Sequence, residues 1–245
     1  MFNSLSGQKV VVIGTSSGLD LAIAQQLVAV GAKVVLTHSD PAKLPQAIES
    51  LAGEIESQTV DIGDEDSVHT CFEQIGKFDH LVVTSMGDRN LPRSLLAEMT
   101  TATAQGAMSK FWSTFFAVRA ALNGIAPNGS ITLISSVSIF KSSKLGGISA
   151  IAAANAAVAV FGRSLALEIA PIRVNVIAAG LLADTSIWSN QTESERSDLT
   201  KWAQSALPVQ HLGQPAELAQ AVLGLMTNPY LTGVILPVDG GVTLI

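Results

Sequence analysis

The feature that most constrains this chain is a rhythm. Short, continuous β-branched runs alternate with helical patterns from one end to the other. Lys9–Ile13 (KVVVI) opens the series. A run that is apolar at nearly every position, rather than at alternate ones, suits a strand covered on both faces. Gly14 to Gly18 (GTSSG) follows, then a helical pattern through Leu21, Ile23, Ala24, Leu27 and Val28, closed by Gly31. Lys33–Thr37, a short Gln58–Val60, Asp79–Thr84, Ser130–Ser135, Ile172–Ala178 and Gly233–Val238 read as further strands. Between them, Pro41–Leu51 (N-capped by Asp40), Glu65–Ile75, Thr101–Leu122, Ile148–Ile169, Glu193–Ser205 and Pro215–Met226 read as helices. Strands separated by helices in this way imply a parallel sheet with right-handed crossovers and helices on both faces. The expectation is one doubly wound α/β domain with a seven-stranded parallel sheet over residues 1–245. Its ligand crevice should lie at the carboxyl ends of the strands, beside the first one.

Composition narrows the function classes. Of 245 residues, 48% are apolar and 14% charged, which excludes a disordered chain. Net charge is −6 with no run of basic residues, so neither nucleic acid nor an anionic membrane is an expected partner. Residues 145–162 carry no charge, but seven of the ten residues Ala150–Ala159 are alanine and Ser149 and Asn155 interrupt the run, which reads as a buried helix rather than a membrane span. The single cysteine, Cys71, excludes an intrachain disulfide and a cysteine-based zinc site and reads as a small buried side chain. His69, His80 and His211 show no metal-ligand spacing. No signal peptide is visible, so a cytoplasmic location is expected. There is one tyrosine, Tyr230.

A strand, Gly14-Thr15-Ser16-Ser17-Gly18 and a helix form a phosphate-cradle arrangement. With Asp61 after the third strand, Gly87 after the fourth, RSLALEIAPIRVNVI (Arg163–Ile177), Gly180, and the tail blocks HLGQPAELAQAVLGLM and LTGVILPVDGG, the chain resembles the short-chain dehydrogenase/reductase family over nearly its whole length. The resemblance implies a Rossmann fold, NADP(H) or NAD(H), and hydride transfer between a carbonyl and an alcohol. It places cofactor contacts at Gly14, Thr15, Ser16, Ser17, Gly18, Leu19, His38, Ser39, Asp61, Ile62 and Gly87. It also implies a catalytic tetrad of Asn, Ser, Tyr and Lys. Counting back from Arg163 puts the tyrosine position at Ile151 and the lysine position at Asn155. Counting back from Arg119 puts the asparagine position at Lys110. The serine is Ser136 by its motif, while Ser138 suits the spacing better.

Reducing a carbonyl needs a proton for the developing alkoxide, and a positioned acid contributes about 10²–10⁴-fold, or roughly 3–5 kcal/mol of barrier. Ile151 has no proton to give, and neutral Asn155 cannot tune a neighbour by its charge. The Lys110 ammonium is either a relocated cation that polarises a carbonyl, orients the nicotinamide ribose or binds an anionic ligand, or a solvated surface lysine. Asp20 replaces the loop's third glycine. It either begins the helix with no ligand role or faces a bound pyrophosphate, at roughly 3 kcal/mol per charge pair for about 5 Å and an effective dielectric near 20. Met86 would partly fill the adenosine path, leaving cofactor binding weak or absent. His38 is either a surface residue or, with Lys43, a contact to a 2′-phosphate, which mildly favours NADP(H).

A lid over about 181–208 carries Trp188 and Trp202, which either line an apolar pocket or form a helix packing face. Three functions compete. One is an oxidoreductase. Another is a cofactor-independent lyase or isomerase using Lys110, Ser136 or Ser138, and a lid carboxylate such as Asp184. The third is a non-catalytic relative that acts as a small-molecule sensor, scaffold or silent subunit. The alanine-rich helix and the resemblance together imply a homodimer or homotetramer, or pairing with an active relative.

Overall fold

In the computed structural model, every strand of the core pairs in parallel, in the order β3-β2-β1-β4-β5-β6-β7. The structure describes residues 5–14, 18–40, 48, 51, 53–87, 94–142, 147–183 and 192–245. The strands are β1 (Lys9–Ile13), β2 (Lys33–His38), β3 (Ile55–Thr59), β4 (Phe78–Val83), β5 (Ile125–Ser136), β6 (Arg173–Ala179) and β7 (Ile235–Val238). The helices are α1 (Gly18–Ala29), α2 (Glu65–Ile75), α3 (Thr101–Ala107), α4 (Ser109–Ala121), α5 (Ser149–Glu168), α6 (Glu193–Ala206) and α7 (Pro215–Thr227). This is the expected doubly wound domain, with the chain reversing direction across the sheet between β1 and β4.

The continuous apolar strands have a core on each face. On one side Val11, Ile13, Leu81, Val83, Ile131 and Leu133 pack against α2, α4 and α5. On the other Val10, Val12, Val34, Leu36 and Ile177 meet α1 and α7. The long apolar α5 turns Ala154, Val158, Ala159, Gly162 and Leu165 into the protein. A Cβ at Gly162 would lie 2.6 Å from Val176, so the missing side chain sets how closely α5 approaches the sheet. Cys71 is buried, and burial pushes its thiol up to about 11.

Three boundaries differ from the sequence expectation. β3 covers 55–59 rather than 58–60. As an edge strand with mostly exposed residues (IESQT), it carries no apolar signal. The helix expected over 101–122 divides at Met108, whose N–H bonds back to the carbonyls of Gln105 and Gly106. Gly106 and the threonines before it hold a helix weakly. β5 begins five residues early, at Ile125, with a register irregularity opposite Phe78 and His80. The helix expected over 41–51 lies outside the described residues, apart from Ile48 and Leu51.

Candidate functional site

The carboxyl ends of β1, β2, β4, β5 and β6 bring together most of the residues singled out in the sequence. At β1, a Cβ on Gly14 would collide with the Thr84 hydroxyl and lie 3.2 Å from both oxygens of Asp20. Glycine is therefore required where β1 turns beneath α1. Asp20 is 1% exposed in the first turn of α1, with its carboxylate directed at this turn. Leu19 is buried with it. Thr15, Ser16 and Ser17 lie outside the described residues. At β2, His38 is 6% exposed, and its Nδ1 accepts the Asp40 backbone N–H at 2.6 Å. The surface reading of His38 is thus corrected, because β3 covers the end of β2. Ser39 beside it is exposed. Exposed Asp61 turns its carboxylate onto the Gly63 N–H at 2.9 Å, and Ile62 packs on the core.

At β4, buried Ser85 meets Ser113 of α4, Oγ to Oγ, at 2.6 Å and accepts the Gly87 N–H. Gly87 has φ +72°, and a Cβ there would lie 2.8 Å from the Lys110 backbone nitrogen. The β4 loop and the start of α4 are thereby locked together. Met86 is half-buried. The hydroxyls of Ser113 and Thr114 donate to the Lys110 carbonyl and fix its backbone. The Lys110 Nζ makes no hydrogen bond or ion pair with any described residue, and burial lowers its ammonium to about 8.

At β5, the Ser136 Oγ accepts the Ser138 N–H and caps the short 3₁₀ turn Val137–Ile139. Asn155, 4% exposed, donates from Nδ2 to the Ile151 carbonyl at 3.0 Å and to the Ser138 Oγ at 3.5 Å. The Ser135 hydroxyl donates to the Asn155 carbonyl at 2.8 Å. Ser138, rather than Ser136, is therefore the serine in contact with Asn155. The Asn155 Oδ1 is buried and has no hydrogen-bond partner. Sequence reasoning missed Ser85, Ser113 and Ser135. The spacing of Ser113 from Lys110, three residues along one helix face, was the available signal.

The lid helix packs through Leu199, Ala203 and Leu207, and Trp202 lies off that stripe, 39% exposed. Trp188, Asp184 and Lys43 lie outside the described residues. Tyr230 is at the opposite edge of the sheet, in the turn from α7 to β7, 96% exposed. A recess of about 180 Å³ lined by His69, Phe72, Lys77 and Asn123 is also at that opposite edge. No cluster of metal-ligating side chains occurs among the described residues.

A family model described as Enoyl-(Acyl carrier protein) reductase matches residues 13–243. Carbonyl reductase family member 4 of Danio rerio is 32% identical over 96% of this chain and 98% of its own. The chain belongs to the short-chain dehydrogenase/reductase family. A solved small-chain dehydrogenase in complex with NADPH is 31% identical, with a TM-score of 0.81 over 97% of this chain and 100% of its own. A short chain oxidoreductase from Pseudomonas aeruginosa PAO1, described as containing an atypical catalytic center, is 28% identical, with a TM-score of 0.84 over 98% of both chains.

For a dinucleotide, the residues of this short-chain dehydrogenase/reductase fit in shape but not in charge. Gly14 and Gly87 keep the backbone bare at the strand ends. The Asp20 carboxylate, however, sits in the first turn of α1, where the helix N-terminus would otherwise hold a pyrophosphate. A carboxylate there does not fit a tightly held pyrophosphate.

Proposed function

We propose that this chain is a short-chain dehydrogenase/reductase relative that binds a small carbonyl-type ligand but has lost the family's usual reductive chemistry. On this reading the tyrosine, lysine and asparagine positions hold Ile151, Asn155 and Lys110, and a serine alone remains, at Ser136 or Ser138. The bond from the Asn155 Nδ2 to the Ile151 carbonyl carries the reading. It ties the two positions together as a neutral packing contact, where a proton relay needs a phenol beside a cation. Cofactor binding is proposed to be weak because of Asp20, with NADP(H) preferred over NAD(H) because β2 ends in His38 and Ser39 rather than a carboxylate.

A second reading, a non-standard enzyme acting through Lys110, is favoured by its amine pairing with no described residue. We also propose a homo-oligomer built on α4 and α5. Phe111, Trp112, Phe115, Phe116 and Phe161 form one contiguous ring cluster there, and Trp112 on α4 and Val160 and Leu167 on α5 are exposed. An apolar surface of that kind suits a second copy.

The test is fluorescence titration with NADPH and NADH, followed by assay for carbonyl reduction. The unmodified chain is expected to bind NADPH no tighter than about 100 μM, an affinity of about −5.5 kcal/mol, and to reduce no carbonyl. Turnover by the unmodified chain overturns the reading. Asp20→Asn, Lys110→Asn, Ile151→Tyr and Asn155→Lys in combination are expected to give reduction, because the crevice remains while the acid and cation are restored.

A further inference from the structure

Among the described residues, two polar groups at the carboxyl edge of the sheet find no partner, and their chemistry is complementary. One is a donor, the Lys110 Nζ. The other is an acceptor, the buried Asn155 Oδ1. The helices that carry them pack side by side and run in the same direction, each starting at this edge of the sheet. Phe111 on α4 meets Phe161 on α5 at 5.6 Å between ring centroids, which sets the register. Asn155 precedes Phe161 by six residues, so it stands about 9 Å nearer the crevice mouth. Helical side chains lean toward the helix N-terminus, so Lys110 leans toward the level of Asn155. The Lys110 backbone is fixed by Ser113, Thr114 and the Gly87 contact, while its amine pairs with no described residue. Burial leaves a substantial free-amine fraction near neutral pH, as in lysines that form Schiff bases.

We propose that Lys110 captures the carbonyl group of an aldehyde or ketone ligand as an imine, with the Asn155 Oδ1 holding the hydroxyl of the intermediate. The amine nitrogen adds to the carbonyl carbon, and one proton passes from nitrogen to the former carbonyl oxygen. The resulting carbinolamine hydroxyl donates to the Asn155 Oδ1. The carbon–oxygen bond then breaks, water leaves with a second proton from nitrogen, and the carbon–nitrogen double bond closes. No oxidant or reductant is consumed. The inference rests on the carbonyl-binding reading above and extends it from a reversible ligand to a covalent one.

The test incubates the full chain with butanal and cyanoborohydride at pH 7.5, which reduces any imine to a stable secondary amine, and maps the adduct by mass spectrometry. At that pH roughly a quarter of Lys110 is free amine, against about 0.1% for an ordinary lysine. Lys110 is expected to be labelled at least tenfold faster than exposed Lys201 or Lys33, with a pH midpoint near 8. Lys110→Arg should remove that fast site, and Asn155→Leu should slow it threefold or more with Lys33 unchanged. Labelling of Lys110 no faster than of Lys201 overturns the proposal, as does a pH midpoint above 10. If Lys110 is not labelled while the restored four-residue variant reduces a carbonyl, the imine step fails and the ligand reading stands. If neither occurs, both fail.

Discussion

Asp20→Asn is the most informative single change, because it alters the charge of the cradle while keeping its shape. The carboxylate is almost wholly buried, its oxygens 3.2 Å from the position a Gly14 Cβ would take. A pyrophosphate held at the start of α1 would place its charges about 5 Å away. At an effective dielectric near 20, each charge pair then opposes binding by roughly 3 kcal/mol. Relaxation of the loop and of the cofactor reduces this, so we expect NADPH to bind between about tenfold and a hundredfold more tightly to Asp20→Asn, at about 1.4 kcal/mol per decade. The same change removes a favourable carboxylate from the first turn of α1, and stability should fall by about 0.3–1 kcal/mol. Energy transfer from tryptophan to NADPH measures the first effect, and urea denaturation the second.

Salt provides an internal control. Charges on the surface are screened over about 10 Å at 0.1 M ionic strength, whereas a buried charge is screened far less. The gain in affinity should therefore persist at high salt. A change below threefold, or one that vanishes with added salt, would show that Asp20 does not oppose the phosphates and that weak binding has another origin.

Two further outcomes are expected. Burial holds His80 near 4, below its usual value, with its ring between Ser130 and Gln8; it is neutral in the fold and gains a proton more readily when unfolded. Its contribution is therefore fully present above about pH 6.5 and is lost as pH falls toward 4, by about 3 kcal/mol in all; His80→Gln should flatten that part of the stability–pH curve measured by urea denaturation. Trp112→Asp places a charge on the proposed α4–α5 interface, and analytical ultracentrifugation should show a smaller species with unchanged circular dichroism; an unchanged sedimentation coefficient would refute that interface.

The fold was legible because its strands are buried on both faces. KVVVI and KVVLT have no polar alternation to confuse with a surface strand, and glycines mark the turns that follow. What escaped was written in polar contacts. β3 (IESQT) is an edge strand held by backbone pairing to β2, so its side chains carry no apolar pattern. Ser85, Ser113 and Ser135 look like ordinary serines until the fold places two of them Oγ to Oγ and the third on the Asn155 carbonyl. His38 looked like a surface residue because its cover comes from a strand twenty residues further along the chain. At the site, sequence counting named Lys110, Ile151 and Asn155, but that the Lys110 amine and the Asn155 Oδ1 find no partner among the described residues is visible only once α4 and α5 are side by side.

The two unusual charges at the sheet edge act in opposite senses on what the crevice can hold. Asp20 brings a negative charge to the start of α1, where an anionic cofactor draws its affinity from bare N–H groups and the helix dipole. Lys110 brings an amine that pairs with no described residue to the start of α4, where its own helix dipole further disfavours a proton. Asp20 therefore weakens a site for a polyanion, whereas Lys110 adds a partly deprotonated amine that suits a small carbonyl compound. Neutralising Asp20 should favour the dinucleotide without altering Lys110 labelling, whereas Lys110→Arg should abolish labelling without altering NADPH affinity by more than about twofold. Independence of the two responses is the quantitative signature of two separately tuned ends of one crevice; a change in either that moved both would mean that the amine and the carboxylate serve a single ligand.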